Sequence, residues 1–491
     1  HWHDSNGYFD NGRAYLFLGS ATGPSASPDW TYDGTNNIAR LGSWVTSAGD
    51  VDGDGYDDVL VDTWYANIGV PGNGRALLFL GSPTGLASTP DWWASPGSGA
   101  AYSPLTSAGD VNGDGYSDVA FGMPGWSNPE TNEGRVVVYL GSASGLPSVA
   151  SWSVESDQAG AALGTAVAAA GDVDGDGYSD LIVGATSWDG ATADEGAAFL
   201  YLGGPTGLAS SPAWTATSGQ GGSLFGIAVA GAGDVDGDGY ADLAVGASAW
   251  SNGQTNEGGV FVYSGQPGGP ASAPSWSVES DVASLRWGTD VAGVGDVDGD
   301  GFCDLLVGMT STGTTGGARL FRGSAAGLEA TPAWEVLPGA PNVLLGARLG
   351  GAGDVNGDGL ADVVIADYQY SSPSLHVGGA FLFYGSVSPP PVEATWEHPG
   401  GLGAAYFGSA IDAAGDVDGD GYGDLLVGAE GWSDGQTREG AAFLFPGSAD
   451  GPEAVAAWSA QSDQDQAWFG SSASGAGDVN GDGYDDVIVG A

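Results

Sequence analysis

The chain has 491 residues, of which 91 are glycine, 61 are acidic and nine are basic, for a formal charge of -52. Hydrophobic residues at 42% and aromatic ones at 10% supply a large core and exclude an acidic disordered tail, while glycine without a three-residue period excludes collagen. No apolar run approaches the ~18 residues of a membrane span, and nine arginines without one lysine offer no basic surface for nucleic acid or anionic lipid. Cations are the natural partners of such a chain. The missing lysine also removes Schiff-base chemistry, and His1, His3, His376 and His398 leave little general acid/base apparatus.

In chain order, the sequence opens at His1 rather than methionine, as a processed terminus or an internal start would. His1-Trp2-His3 carries the copper- or nickel-chelating pattern of a free amino terminus with an imidazole at the third residue. Arg13-Ala-Tyr-Leu-Phe-Leu-Gly then reads as a strand, and Trp30 lies in the next one. From there a unit repeats to the end of the chain. One copy runs Phe225-Gly-Ile-Ala-Val-Ala-Gly-Ala, an acidic loop, Leu243-Ala-Val-Gly-Ala, Val260-Phe-Val-Tyr, and a segment around Trp276. Short runs rich in β-branched and aromatic residues, bounded by Gly, Asn, Asp and Ser, predict strands, about four per unit.

The acidic loops begin at Asp50, Asp110, Asp172, Asp234, Asp296, Asp354, Asp416 and Asp478, eight copies spaced 58 to 62 residues apart. One tryptophan series keeps the same phase at Trp30, Trp92, Trp152, Trp214, Trp276, Trp334, Trp396 and Trp458, inside the predicted outer strand. Another, just after the Val-Gly-Ala stretch, is Trp2, Trp64, Trp126, Trp188, Trp250 and Trp432, with Thr312 and Tyr370 in the two remaining phases. Four antiparallel strands per repeat of this size is the pattern of a β-propeller blade.

The expected fold is therefore all-β: an eight-bladed β-propeller of four-stranded antiparallel blades, one domain spanning residues 1–491. The C-terminus stops at Val489-Gly490-Ala491, the end of a second strand, where the N-terminus supplies a third and a fourth. One blade, from 461–491 plus 1–34, then closes the ring and leaves no open sheet edge. The competing reading is an open array cut in phase from a longer tandem protein.

Each acidic loop offers side-chain oxygens at its first, third, fifth and ninth residues, a backbone carbonyl at the seventh, and glycine at the sixth for the turn. The first three sets are Asp50, Asp52, Asp54 and Asp58 with the Tyr56 carbonyl; Asp110, Asn112, Asp114 and Asp118 with Tyr116; and Asp172, Asp174, Asp176 and Asp180 with Tyr178. The next are Asp234, Asp236, Asp238 and Asp242 with Tyr240; Asp296, Asp298, Asp300 and Asp304 with Phe302; and Asp354, Asn356, Asp358 and Asp362 with Leu360. The last are Asp416, Asp418, Asp420 and Asp424 with Tyr422, and Asp478, Asn480, Asp482 and Asp486 with Tyr484. Odd spacing turns these hard oxygens into one concavity, which suits Ca²⁺ better than zinc or copper. Val183 stands where the twelve-residue helical calcium loop has its bidentate glutamate, so the loop is of another type. A lone copy would equally read as an ordinary Asp/Gly turn, but eight in one phase concentrate 29 of the 61 acids where only a cation relieves their repulsion. Up to eight Ca²⁺ ions, one per blade, would reduce the formal charge from -52 to -36.

Phe-Gly, then Gly-Asp-Val-Asp-Gly-Asp-Gly-Tyr-x-Asp-Leu, then Val-Gly-Ala resemble the FG-GAP repeats of the integrin α-subunit β-propeller, over essentially the whole chain. Phe225-Gly226, Phe407-Gly408 and Phe469-Gly470 keep the first pair, Leu163-Gly164, Trp287-Gly288 and Leu345-Gly346 vary it, and Tyr102-Ser103 loses its glycine. The resemblance implies a metal loop between first and second strands on one face of the ring, with partners on the opposite face. It departs in blade number, since integrin α propellers have seven blades with metal loops in only some, and no leg domains or partner-subunit sequence adjoin here.

The expected function is a secreted or cell-surface, extracytoplasmic calcium-binding propeller, a non-catalytic adhesion, binding or structural module with a protein or glycan partner. One alternative is a calcium-dependent, lectin-like carbohydrate-binding protein using Trp2, Trp64, Trp126, Trp188, Trp250 and Trp432 as aromatic platforms. Against it stands blade-to-blade packing by the same residues. A polysaccharide-degrading enzyme is the remaining alternative, but Asp463 and Asp465 show no readable pairing and Arg286 and His376 form no catalytic set. Cys303, the single cysteine, excludes an intrachain disulfide and reads as a tolerated small residue in the fifth loop.

Overall fold

A computed structural model describes residues 3–5, 7–8, 10–63, 74–95, 104–310, 316–336, 344–371, 376–387, 394–401 and 403–491. The described residues form eight four-stranded antiparallel sheets and no α-helix. Blades are numbered here by their acidic loops, from blade one at Asp50 to blade eight at Asp478. In blade three the strands run from the ring axis outward as Leu163–Gly171, Asp180–Ala185, Ala197–Tyr201 and Trp214–Thr217. The second strand is buried along its whole length because neighbouring blades cover both of its faces, whereas the outer strand alternates buried and exposed residues.

Blade eight joins the two ends of the chain. Ser472–Gly477 and Asp486–Gly490 come from the C-terminus and Arg13–Phe17 and Trp30–Asp33 from the N-terminus, with Ala14, Tyr15, Leu16 and Phe17 opposite Gly490, Val489, Ile488 and Val487. The expected eight-bladed closed ring is the observed architecture.

The core lies between blades rather than inside them. One cluster combines Ile182, Leu200 and Trp214 of blade three with Phe225, Leu243, Val245 and Tyr263 of blade four. Each such side chain contributes roughly 1.5–3 kcal/mol when fully buried, so a blade is stable only against its neighbours. The outer-strand tryptophans reinforce the same seams: the Trp214 indole N–H donates to the Ala271 carbonyl of the next blade at 3.0 Å, and Trp458 donates to Ser25 at 2.9 Å across the chain closure.

The two short glycine motifs meet at these seams. A Cβ on Gly184, in the Val-Gly-Ala stretch of blade three, would fall 2.0 Å from the carbonyl oxygen of Gly226, the Phe-Gly glycine of blade four. Gly226 itself has φ near +83°, a left-handed conformation that glycine adopts without strain. Glycine at both places lets two backbones approach more closely than side chains permit.

Candidate metal centres

Every acidic loop joins the first strand of a blade to its second, so all eight occur at the same end of the ring. The first carboxylate shapes the loop. In blade three, Asp172 accepts the N–H groups of Gly175 and Asp176 on Oδ1 at 2.8 and 3.0 Å and that of Gly177 on Oδ2 at 2.9 Å. The turn is thereby fixed with its remaining oxygens on the concave side.

One carboxylate oxygen from each of Asp50, Asp52 and Asp58 lies within 4.8 Å of the other two, as do those of Asp172, Asp174 and Asp180 and of Asp234, Asp236 and Asp242. In the fifth loop the corresponding trio is Asp296, Asp298 and Asp300. Oxygens bound to one Ca²⁺ at ~2.3–2.6 Å can be at most about 5 Å apart, so these groupings fit a shared ion. Asp174 Oδ1 is buried without a hydrogen-bond partner, an orphaned acceptor at the third position of its loop. Burial, followed by the charges of neighbouring loop aspartates, raises the pKa values of Asp52, Asp174 and Asp418. A cation relieves both effects. In the fifth loop the Arg322 guanidinium lies 3.0 Å from Asp298 Oδ2, so an arginine already answers part of the charge there.

The ninth-position aspartates do more than the sequence indicated. Asp58, Asp118, Asp180, Asp242, Asp304, Asp362, Asp424 and Asp486 are fully buried. Asp242 accepts the Val235 N–H on Oδ2 at 2.9 Å and the Gly265 N–H on Oδ1 at 2.8 Å, tying the acidic loop to the end of the third strand. The same pair of bonds recurs in blade one, to Val51 and Gly81, and in blade eight, to Val479 and Gly19. Burial pushes all eight carboxyl groups up to about 7, against the lowering by those backbone donors. The repeated Asp in this place serves the fold as well as the candidate ion site.

The loops are also linked into a belt, which the sequence did not reveal. The eighth-position N–H of one loop donates to the first-position carbonyl of the preceding blade: Ser117 to Asp50 at 2.9 Å, Cys303 to Asp234 at 3.0 Å, and Asp57 to Asp478 at 3.2 Å across the ring closure. The seventh-position side chain covers the fourth-position glycine of the same preceding loop. A Cβ on Gly175 would fall 2.5 Å from the Tyr240 ring, and one on Gly481 would fall 2.3 Å from Tyr56. Cys303 Sγ likewise fills the place where a Cβ on Gly233 would stand, which explains the need for a small residue.

On the other end of the ring, Trp126, Trp188, Trp250 and Trp432 are partly buried. Trp188, Trp250 and Trp432 pack edge-on against Phe199, Phe261 and Phe443 of their own third strands at 5.2, 5.5 and 5.0 Å, and Arg135 lies over Trp126. Trp2 and Trp64, with His1 and the Tyr102-Ser103 pair, lie outside the described residues. His3 is buried, with Nδ1 3.2 Å from the Tyr15 hydroxyl, and burial lowers its pKa to about 4. Asp465 accepts the Thr437 N–H at 3.0 Å in the connection between blades seven and eight. In the loops between second and third strands, buried Glu133, Glu195, Glu257 and Glu439 accept backbone N–H groups, as Glu195 does from Ala191 at 2.9 Å. A Glu-Gly pair before the third strand, present four times in the sequence, was the available signal.

The FG-GAP repeat family model matches residues 225–263, 407–445 and 469–491, and the FG-GAP-like repeat model matches 110–183 and 296–365. The chain is 35% identical over 227 residues to integrin alpha-PS2 of Drosophila melanogaster, covering 43% of this chain and 15% of that protein. It is 31% identical over 259 residues to integrin alpha pat-2 of Caenorhabditis briggsae, covering 48% of this chain and 20% of the relative. With human integrin alpha-IIb it shares 38% over 145 residues, 28% of this chain and 14% of the relative. The matched segments thus span a small part of each relative. Repeat sequence, blade architecture and these similarities agree that the chain is an FG-GAP-repeat β-propeller of the integrin α-like kind.

Proposed function

We propose that this propeller is an extracytoplasmic, non-catalytic binding or adhesion module whose acidic loops hold up to eight Ca²⁺ ions as structural staples. The observation that carries the reading is the belt: each loop is hydrogen-bonded through its first-position carbonyl to the next blade, and the loops that begin at Asp50, Asp172, Asp234 and Asp296 gather carboxylate oxygens close enough to share an ion. The ion would be held by the first, third, fifth and ninth side chains and the seventh carbonyl, and would supply charge compensation rather than reaction chemistry. Neutralising one loop then stiffens two blades at once. Similarity to integrin α chains supports a protein partner, placed by the proposal on the end of the ring opposite the loops.

No helix among the described residues is long and apolar enough to cross a membrane. Millimolar-range calcium affinity is typical of extracellular modules and favours that setting. The test is thermal unfolding with excess calcium against excess EDTA, alongside a count of bound metal. At calcium a hundredfold above the dissociation constant each site adds about 2.7 kcal/mol, so chelation should lower the melting temperature sharply. An unchanged melting temperature in EDTA removes the calcium assignment.

A further inference from the structure

The inner strands carry a departure from the repeat that is concentrated in one place. Counted from the Phe-Gly-type pair, blades three and four present Ala166 and Ala228 three residues after its first member, where blades one, five and six present Trp44, Asp290 and Arg348. Two residues further along, blade seven presents Asp412. Around the axis, the inner strands of four consecutive blades, six, seven, eight and one, line a partly open cavity of about 290 Å³ whose walls include Trp44, Arg348, Ser409, Asp412, Ser471 and Ser472. Two of its walls come from opposite ends of the repeat order, so the cavity exists only because the ring is closed.

Its polar groups are unevenly satisfied. Asp412 Oδ2 is fixed by the Ser474 hydroxyl at 2.7 Å and the Gly475 N–H at 3.2 Å. Ser471 Oγ is buried with no hydrogen-bond partner. Arg348 makes no hydrogen bond or ion pair among the described residues, whereas Arg135 and Arg322 lie 3.5 and 3.0 Å from carboxylates and Arg13 forks onto Asp33. Trp44 is 37% exposed while its backbone N–H is held by Asp62 Oδ1 at 2.7 Å. A flat apolar plate, a guanidinium with no hydrogen bond among the described residues and an anchored carboxylate therefore line one space of single-ring size.

We propose that this axial cavity binds one pyranose sugar unit. The C–H face of the ring would stack on Trp44, and vicinal hydroxyls, which both donate and accept, would match Asp412 and the donor fork of Arg348. A simple inorganic anion matches poorly, because Asp412 lines the same space and the Asp290 charge acts on Arg348. The volume sits at the small end of ligand pockets, which run from ~300 Å³ upward. The cavity is distinct from the calcium loops and from the loop tryptophans, and its occupancy does not depend on the proposed adhesion role.

Saturation-transfer NMR and calorimetry on the full chain in calcium, with D-glucose, D-galactose, N-acetyl-D-glucosamine and D-glucuronate as probes, test it. At least one probe should bind, and Trp44→Ala and Arg348→Gln should each weaken it about tenfold or more. Stronger binding of glucuronate than of the neutral sugars would mean that Arg348 reads a carboxylate, and the reverse would mean that it reads hydroxyls. The Arg348 side chain forms no hydrogen bond or ion pair among the described residues, although its charge acts on Asp290 and Glu430; Arg348→Gln, with its fold checked by circular dichroism, therefore decides the matter even if Trp44→Ala unfolds. Failure of all four probes to bind, or binding indifferent to Arg348→Gln, overturns the proposal.

Discussion

Gly246→Ala isolates the close approach that sets the blade spacing. Its new methyl carbon would stand 2.2 Å from the Gly288 carbonyl oxygen and 3.0 Å from the carbonyl carbon, both backbone atoms of the next blade. An ordinary contact needs about 3.4 Å or more, so the blades must separate by about 1 Å or the strand must bend, and overpacking of this kind costs roughly 1–3 kcal/mol. Gly246 lies in the middle of a fully buried strand, so solvent cannot absorb the shift. The protein shows what accommodation looks like: in blade six the same position is Ala366, and a Cβ on Gly408 opposite would fall 2.9 Å from its methyl group. The assay is thermal unfolding in calcium together with amide hydrogen exchange. Because repeat proteins couple mainly through nearest neighbours, lost protection should concentrate in blades four and five. A variant that melts with the parent and keeps its protection at that seam would refute the account of why the two glycine motifs recur.

In EDTA the pH dependence should be that of buried carboxylates. The eight ninth-position aspartates have pKa values near 7 in the fold against about 3.9 unfolded, so the folded state holds more protons between those limits. Stability is then highest below about pH 4 and falls as pH rises through 7, and calcium should flatten that fall; a melting temperature in EDTA that climbs over the same range counts against it. Glu257 accepts the Asn252 and Gln254 N–H groups through Oε1, while its Oε2 is buried without a partner. Glu257→Ala should therefore loosen the 251–256 loop by about 1–3 kcal/mol, read as faster proteolytic nicking, while Glu257→Gln retains the accepting oxygen and should be cut at the parental rate. Trp458→Phe removes the bond to the Ser25 carbonyl across the chain closure and should cost about 1 kcal/mol, measured as earlier loss of protection in blade eight. Unaltered protection there would show that the closure does not rely on this bond.

The repeats were legible because each performs the same local task under the same physical constraint. Acidic residues at odd spacing with glycine at the sixth place dictate a tight loop with convergent oxygens wherever they occur, so Asp172 to Asp180 could be read without neighbours. What the ninth aspartate does was only half legible: its carboxylate is paired with Gly265 in blade four, twenty-three residues away, a distance that no local pattern encodes. The same holds for Cys303, whose small size is required by Gly233 of the preceding blade. The loop tryptophans carried two readings in the sequence, since an indole that packs on Phe199 and one that awaits a partner have the same one-letter code.

Composition and period by themselves determined the class of the protein: an acidic all-β chain of eight like units, each too small to bury its own core. Tertiary structure decided everything that depends on one blade meeting another. Glycine against glycine sets the spacing, backbone bonds join the acidic loops into a belt, and the departures at Trp44, Arg348 and Asp412, hundreds of residues apart in the chain, gather around one axial cavity. Local sequence fixes φ, ψ and side-chain alternation. The ring alone brings together residues that share a radius and a height but no neighbourhood in the chain.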